Sequence, residues 1–166
     1  MKKLIKIKTA IVLFGLLSII SCSKSDVAEE IANQVTEEGT LVCKVNNDSW
    51  KTEIVTVENV DLSNNQVGTQ IFATNFSTLA TMQLLFTETG TGTFEMNHTD
   101  IKPVFGTYTT SSPLEGWTST LTAEKGTITI TENTATSISG SFDFYVKKSY
   151  NSESLHLVGG FNKIQK

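Results

Sequence analysis

His98 and His156 are the only imidazoles in this chain, and neither belongs to a His-x-x-x-His or Glu-x-x-His array. Asn97-His98-Thr99-Asp100 sets an imidazole and a carboxylate at ligand spacing, but a catalytic zinc takes three protein ligands. No metal site and no cofactor is expected. A glycosidase would need two facing carboxylates. Glu95 lies between Phe94 and Met96, and Asp143 between Phe142 and Phe144, so both fall on the outward phase of strands and read as solvated acids. The chain has no Gly-x-Ser-x-Gly elbow, and Gly90-Thr91-Gly92 reads as a turn between strands rather than a phosphate cradle before a helix. No catalytic residue is expected, and the chain does not read as an enzyme.

The aromatic residues leave one binding chemistry. Trp50, Tyr108, Trp117, Tyr145 and Tyr150 offer rings that could stack on the flat faces of sugars. Tyr145 leads, because it points away from Phe142 and Phe144, and Tyr108 is the second candidate. Trp50 shares an inward phase with Ile54, and Trp117 with Leu121, so both tryptophans read as core. Cys43 alternates with Leu41 and Val45, which places its thiol on an apolar strand face as a small buried hydrophobe.

The elements that would carry these residues are strands. Threonine makes up 25 of the 166 residues and proline only two, a bias toward extended structure. From Thr40 onward the apolar residues recur with a period of two, and turn residues interrupt them every eight to twelve positions. Asn46-Asn47-Asp48 turns the first hairpin and Ser63-Asn64-Asn65 the second. Met82, Leu84 and Phe86 share a face. So do Trp117, Ser119, Leu121 and Ala123, then Ile128 and Ile130, then Gly140, Phe142, Phe144 and Val146. About ten short strands with no helix between them predict an all-β domain, an antiparallel β-sandwich or barrel.

The first residues supply an address. Lys2, Lys3, Lys6 and Lys8 precede the apolar run 9–20, which is too short to span a bilayer and reads as a secretory signal peptide. Ile19-Ile20-Ser21-Cys22 closes it and resembles the lipobox of bacterial lipoproteins, in which the cysteine is acylated. That resemblance implies a signal peptide over 1–21, lipidation of Cys22, an acidic tether over 22–39 and a single β-rich domain over 40–166. The partner it implies is a membrane, held through the lipid. Ser23 follows the cysteine, which by the same resemblance favours the outer membrane of the cell envelope, with the periplasmic or surface-facing side left open. Within the tether, Val27, Ile31 and Val35 recur at four-residue steps after Ser25 and Asp26, the spacing of a short helix with an acidic first turn. A flexible linker is the other reading of the segment. With Cys22 committed to a thioether, Cys43 has no partner for a disulfide.

Charge narrows the partners further. Thirteen lysines and no arginine stand against seventeen acids, and removal of 1–21 takes four lysines and no acid, so the formal charge falls from −4 to −8. Such a surface does not suit nucleic acid, whose phosphates are held by Lys and Arg. A glycan or an envelope protein remains as a partner.

The order of motifs has a likeness. Leu41 through Trp50 resembles the strand, turn and tryptophan that begin the domain of many small Bacteroidota lipoproteins. Gly90-Thr91-Gly92-Thr93-Phe94, the pair Gly126–Thr131 and Ile138–Phe144, and Gly159-Gly160-Phe161-Asn162 resemble that family's later motifs. The family is domain of unknown function 6252, and the likeness spans most of 40–166. Asn47-Asp48 stands where the family more usually has Gly-Lys, a departure that affects hairpin geometry. The resemblance implies a β-rich, lipid-anchored envelope protein and brings no catalytic or binding residues with it.

Overall fold

The computed structural model describes residues 35, 37–52, 54–62, 65–87, 89–96, 103–111, 114–124 and 126–166. Cys22, most of the tether, His98 and Asp100 lie outside the described residues. Eleven strands follow one another: β1 (Thr40–Val45), β2 (Asp48–Lys51), β3 (Ile54–Leu62), β4 (Gln66–Asn75), β5 (Ala80–Phe86), β6 (Gly92–Glu95), β7 (Val104–Ser111), β8 (Leu114–Thr118), β9 (Thr127–Asn133), β10 (Ser137–Lys148) and β11 (Ser154–Gln165). The all-β expectation holds, with one strand more than the periodicity suggested.

All the strand pairings are antiparallel, and the main path runs β2-β1-β11-β10-β8-β7-β5-β4-β3. A branch leaves it where β9 pairs β10 and β6 pairs β9. The sheet curls until β3 lies near β11 and β1, which makes a half-barrel. Sequence left sandwich and barrel open, because alternation states which side of a strand is apolar and not what that side faces.

β10 is the axis of the fold. One of its edges follows β11, while the other pairs β9 over Ile138–Asp143 and β8 at Lys147 and Lys148. Phe144 fills the fork. A Cβ at Gly106 would collide with the Phe144 ring, and one at Gly126 with Phe144 Cα and Cβ, so the first glycine lets the ring into the gap and the second lets the chain pass close to the β10 backbone. Phe86, Phe142, Phe144, Leu41, Ile71, Met82, Leu84, Ile128 and Leu157 are fully buried, each stabilising by roughly 1.5–3 kcal/mol relative to exposure. Cys43 belongs to this core, and burial pushes its thiol pKa far above the ordinary value.

The first expected turn forms at Asn46-Asn47, and of the second Asn65 is described while Ser63 and Asn64 lie outside the described residues. Asn46 and Asn65 both adopt positive φ, 55° and 57°, which asparagine tolerates better than most residues. Two phase readings are corrected. Ile54 is exposed, because the chain breaks at Thr52 and β3 begins a new phase. Leu121 is exposed as well, because Ser119–Leu121 forms a 3₁₀ turn instead of continuing β8. The Thr120 amide donates to Thr118 Oγ1 at 3.3 Å, and the Gly106 amide donates to Ser119 Oγ at 3.0 Å, so side chains divert the backbone from the ladder.

Candidate functional site

Lys148 ends the inward phase that runs through Phe142, Phe144 and Val146, and it is only 4% exposed. A lysine there must find acceptors. Its Nζ lies 2.7 Å from a carboxylate oxygen of Glu115 on β8 and 2.7 Å from one of Glu153 in the β10–β11 turn. The ammonium also sits 4.5 Å from the ring centre of Trp117 and 5.7 Å from that of Tyr150. Burial opposes the charge, but the hydrogen bonds and charges of both glutamates outweigh it and hold the pKa above the ordinary lysine value. Lys148 is thus a permanent cation in a cage of two carboxylates and two rings.

Around this cage the domain exposes large apolar groups. Leu114 at the start of β8 is 84% exposed and Tyr150 is 67% exposed, with Phe76 and Leu79 of the β4–β5 turn also open to solvent. The hydrogen bonds join them at one end of the half-barrel. The Ser111 amide donates to the Leu79 carbonyl at 3.2 Å, Ser111 pairs Leu114, and the Tyr150 hydroxyl reaches Glu115 at 3.4 Å. Leu79 holds a positive φ of 53°, a conformation a branched aliphatic residue rarely adopts. Asn75 imposes the turn, since its Oδ1 accepts from the Thr78 amide at 2.9 Å and the Thr78 hydroxyl at 3.0 Å. A strained leucine presented to water is unfavourable twice over, the pattern expected of a contact surface.

A second cluster lies on the outward face. Asp143 is only 6% exposed, and its Oδ1 is 2.7 Å from His156 Nε2 on the neighbouring β11. The Tyr145 and His156 rings stack at 4.4 Å with 14° between their planes. The outward phase expected for Asp143 is correct, but the expectation of a solvated acid is not: the carboxylate is covered and paired. Glu95 is exposed, as expected.

The comparison with protein families now has a geometry to attach to. The model of the domain of unknown function DUF6252 matches residues 37–164. The chain belongs to the DUF6252 family. No curated protein and no solved structure matches it. The match begins just before β1 and ends in β11, so the DUF6252 domain contains both the caged lysine and the Asp143–His156 pair.

Of the aromatic candidates, the DUF6252 domain leaves Tyr150 exposed at the rim and Tyr145 partly open, with one face taken by His156. Tyr108 is a correction. It is buried against Trp117, with ring centres 5.7 Å apart, and desolvation followed by the nearby Cys43 raises its pKa, so it cannot stack on a sugar. Tyr108 opposes Trp117 and Met82 in the register, which puts it on the inner face. Trp50 and Trp117 are core, as expected, and neither indole Nε1 has a hydrogen-bond partner among the described residues. Leu79 and Leu114 were missed by sequence reasoning, and Tyr150 was named there only as a ring that could stack on a sugar. One signal was available: Lys148 shares the phase of Phe142, Phe144 and Val146, and an inward lysine implies acids and rings beside it.

Among the described residues no group of three His, Cys, Asp or Glu side chains is placed to hold a metal. No described helix is long and apolar enough to cross a membrane.

Proposed function

We propose that this chain is a lipid-anchored cell-envelope protein, acylated on Cys22 and held at the outer membrane. Its DUF6252 domain acts as a non-catalytic interaction module whose contact surface is the rim of Phe76, Leu79, Leu114 and Tyr150. The rim carries this reading, because large apolar side chains gathered at one end of a domain are the mark of a protein contact. The lysine run, apolar stretch and Ile19-Ile20-Ser21-Cys22 sequence support the anchor. Two or three acyl chains, at roughly 0.8 kcal/mol per buried methylene, hold a domain at a bilayer without a spanning helix. The partner is another envelope protein with an apolar face, and an acidic surface without arginine argues against nucleic acid.

Two experiments test the two halves of this reading. Cys22→Ala should move the protein from the membrane fraction to the soluble fraction, and unchanged retention would overturn the anchor. A photo-crosslinking side chain at Leu114 should capture a discrete partner in cells, while the same group at Glu58, exposed on β3, should not. Equal capture at both positions would remove the rim from consideration.

A carbohydrate-binding accessory role is the second reading, and the flat pair of Tyr145 and His156 on the outward face favours it. It predicts weak polysaccharide affinity that Tyr145→Ala abolishes, and a glycan array without signal would end it.

A further inference from the structure

The strands at the ends of the sheet differ in how they are closed. β2 and β6 have four residues each, and the Lys51 carbonyl at the end of β2 accepts from Asn75 Nδ2 at 2.6 Å. β3 has nine residues, and among the described residues it pairs only β4. An edge strand presents a row of unpaired amides and carbonyls, and proteins blunt such edges by shortness, proline, lysine or a bulge. β3 has none of these. From Ile54 to Leu62 it contains no proline, glycine or lysine, its register with β4 is unbroken, and five of its nine residues are β-branched.

The outer half of β3 also stands clear of the core. Its inward phase begins with the half-buried Val55 and Val57 but continues with Asn59 and Asp61, which are exposed, and Val67 opposite Asp61 is exposed as well. Both faces of the strand are therefore open to a partner.

This edge carries charge of one sign. Glu58 points outward and Asp61 inward, β3 holds no base, and their neighbours across the ladder are the neutral Gln70 and Val67. The carboxylates of Glu37, Glu38, Glu115, Glu132, Asp143 and Glu153 each have a side-chain partner. Those of Glu58 and Asp61 have none among the described residues, a state they share only with Asp48 on the short β2.

We propose that the outer half of β3 takes up an extended segment of another protein as an added antiparallel strand, and that Glu58 and Asp61 select a segment with Lys or Arg side chains three residues apart. Residues at that spacing lie on opposite faces of a strand, so one cation meets Glu58 outside and the other meets Asp61 inside. Main-chain hydrogen bonds hold the segment, and the two acids choose it. The same acids reject a second copy of this chain, because β3 against β3 brings acid to acid with no base on either strand. The contact is separate from the rim, since Phe76 and Leu79 follow the far end of β4 while Glu58 and Asp61 flank the β3–β4 turn. A photo-crosslinker placed at Glu58 removes one of the two charges, so it remains a silent control for the rim.

A charge swap tests this in the full chain. The probe is a fluorescent eight-residue peptide of alternating valine and threonine with lysines at its third and sixth positions, compared with the same peptide carrying glutamates there. Fluorescence anisotropy should show the lysine peptide binding at least ten times more tightly. Glu58→Lys with Asp61→Lys should reverse that order, and Glu58→Gln with Asp61→Asn, which leaves the exposed edge neutral, should abolish it. Amides of Glu58–Leu62 that face the edge should exchange at least tenfold more slowly with saturating peptide. No binding of either peptide, a preference unchanged by both pairs of substitutions, or binding without slowed exchange would each overturn the proposal. A dimer in sedimentation equilibrium that protects the β3 amides would overturn it too, by placing a second copy on the edge. None of these results depends on Cys22 or on Leu114, so failure here is distinct from failure of the anchor or of the rim.

Discussion

The two ends of the sheet follow different rules. Over most of β3, β4, β5 and β7 the strands alternate in the ordinary way, with Ile71, Ala73, Met82 and Leu84 inside and Thr56 and Phe72 exposed on the other face, Leu85 being a buried exception. Over Ser137–Phe144 of β10, and at Val158 and Gly160 of β11, outward residues are as buried as inward ones, and polar side chains there are tied down: Asp143 to His156, Ser139 to the Lys163 amide, Ser137 to Glu132. One end is a wall with a wet side. The other is closed on both faces of β10, and there every buried polar atom must find a partner or destabilise the fold.

Substitutions can sharpen this contrast. Phe144→Ala should have the largest effect, about 3–5 kcal/mol lost in denaturant unfolding, because the ring fills the fork of β10 and no neighbour can replace it. Phe72→Ala, at 38% exposure on the other end, should stay within about 0.5 kcal/mol. His156→Ala should cost about 1–3 kcal/mol by leaving the Asp143 carboxylate covered without its partner. Gln83→Ala, on the outward phase of β5, should be close to neutral, and equal losses at the two sites would erase the distinction. Cys43 gives a smaller, pH-dependent effect. Its thiol pKa is raised on folding above the ordinary 9.0, so above that pH the unfolded chain releases a proton that the folded chain keeps. Stability should then fall with rising pH beyond about 9. Cys43→Ala should flatten that slope in thermal unfolding measured between pH 8 and 10.5, leaving the fall due to Tyr108, Lys148 and Lys163 near the upper limit.

The same contrast explains what the sequence made legible. Phe142, Phe144 and Val146 announce their face through alternation, and so do Leu41 and Cys43 on β1. The burial of Asp143 was hidden, because alternation assigns a side without saying what covers it. A trace existed in Ser139-Gly140-Ser141 and Gly159-Gly160, runs of small residues on adjacent strands that leave little side-chain surface to expose. Leu121 was misread because Thr118 and Ser119 bond to backbone amides, a local competition that a period of two does not register. The gathering of Leu79, Leu114 and Tyr150 into one rim was hidden for a different reason. Leu79 and Tyr150 sit in turns, and only the register of β7, β8 and β10 brings them toward Leu114.

Native-state hydrogen exchange tests the central claim most directly. Amides of β10 and β11 should exchange only through global unfolding, at least about a hundredfold more slowly than those of β3, which lies at the end of the sheet path. Exchange from β10 as fast as from β3 would mean that the central strands are not covered on both sides, and the contrast between the two ends of the sheet would fail.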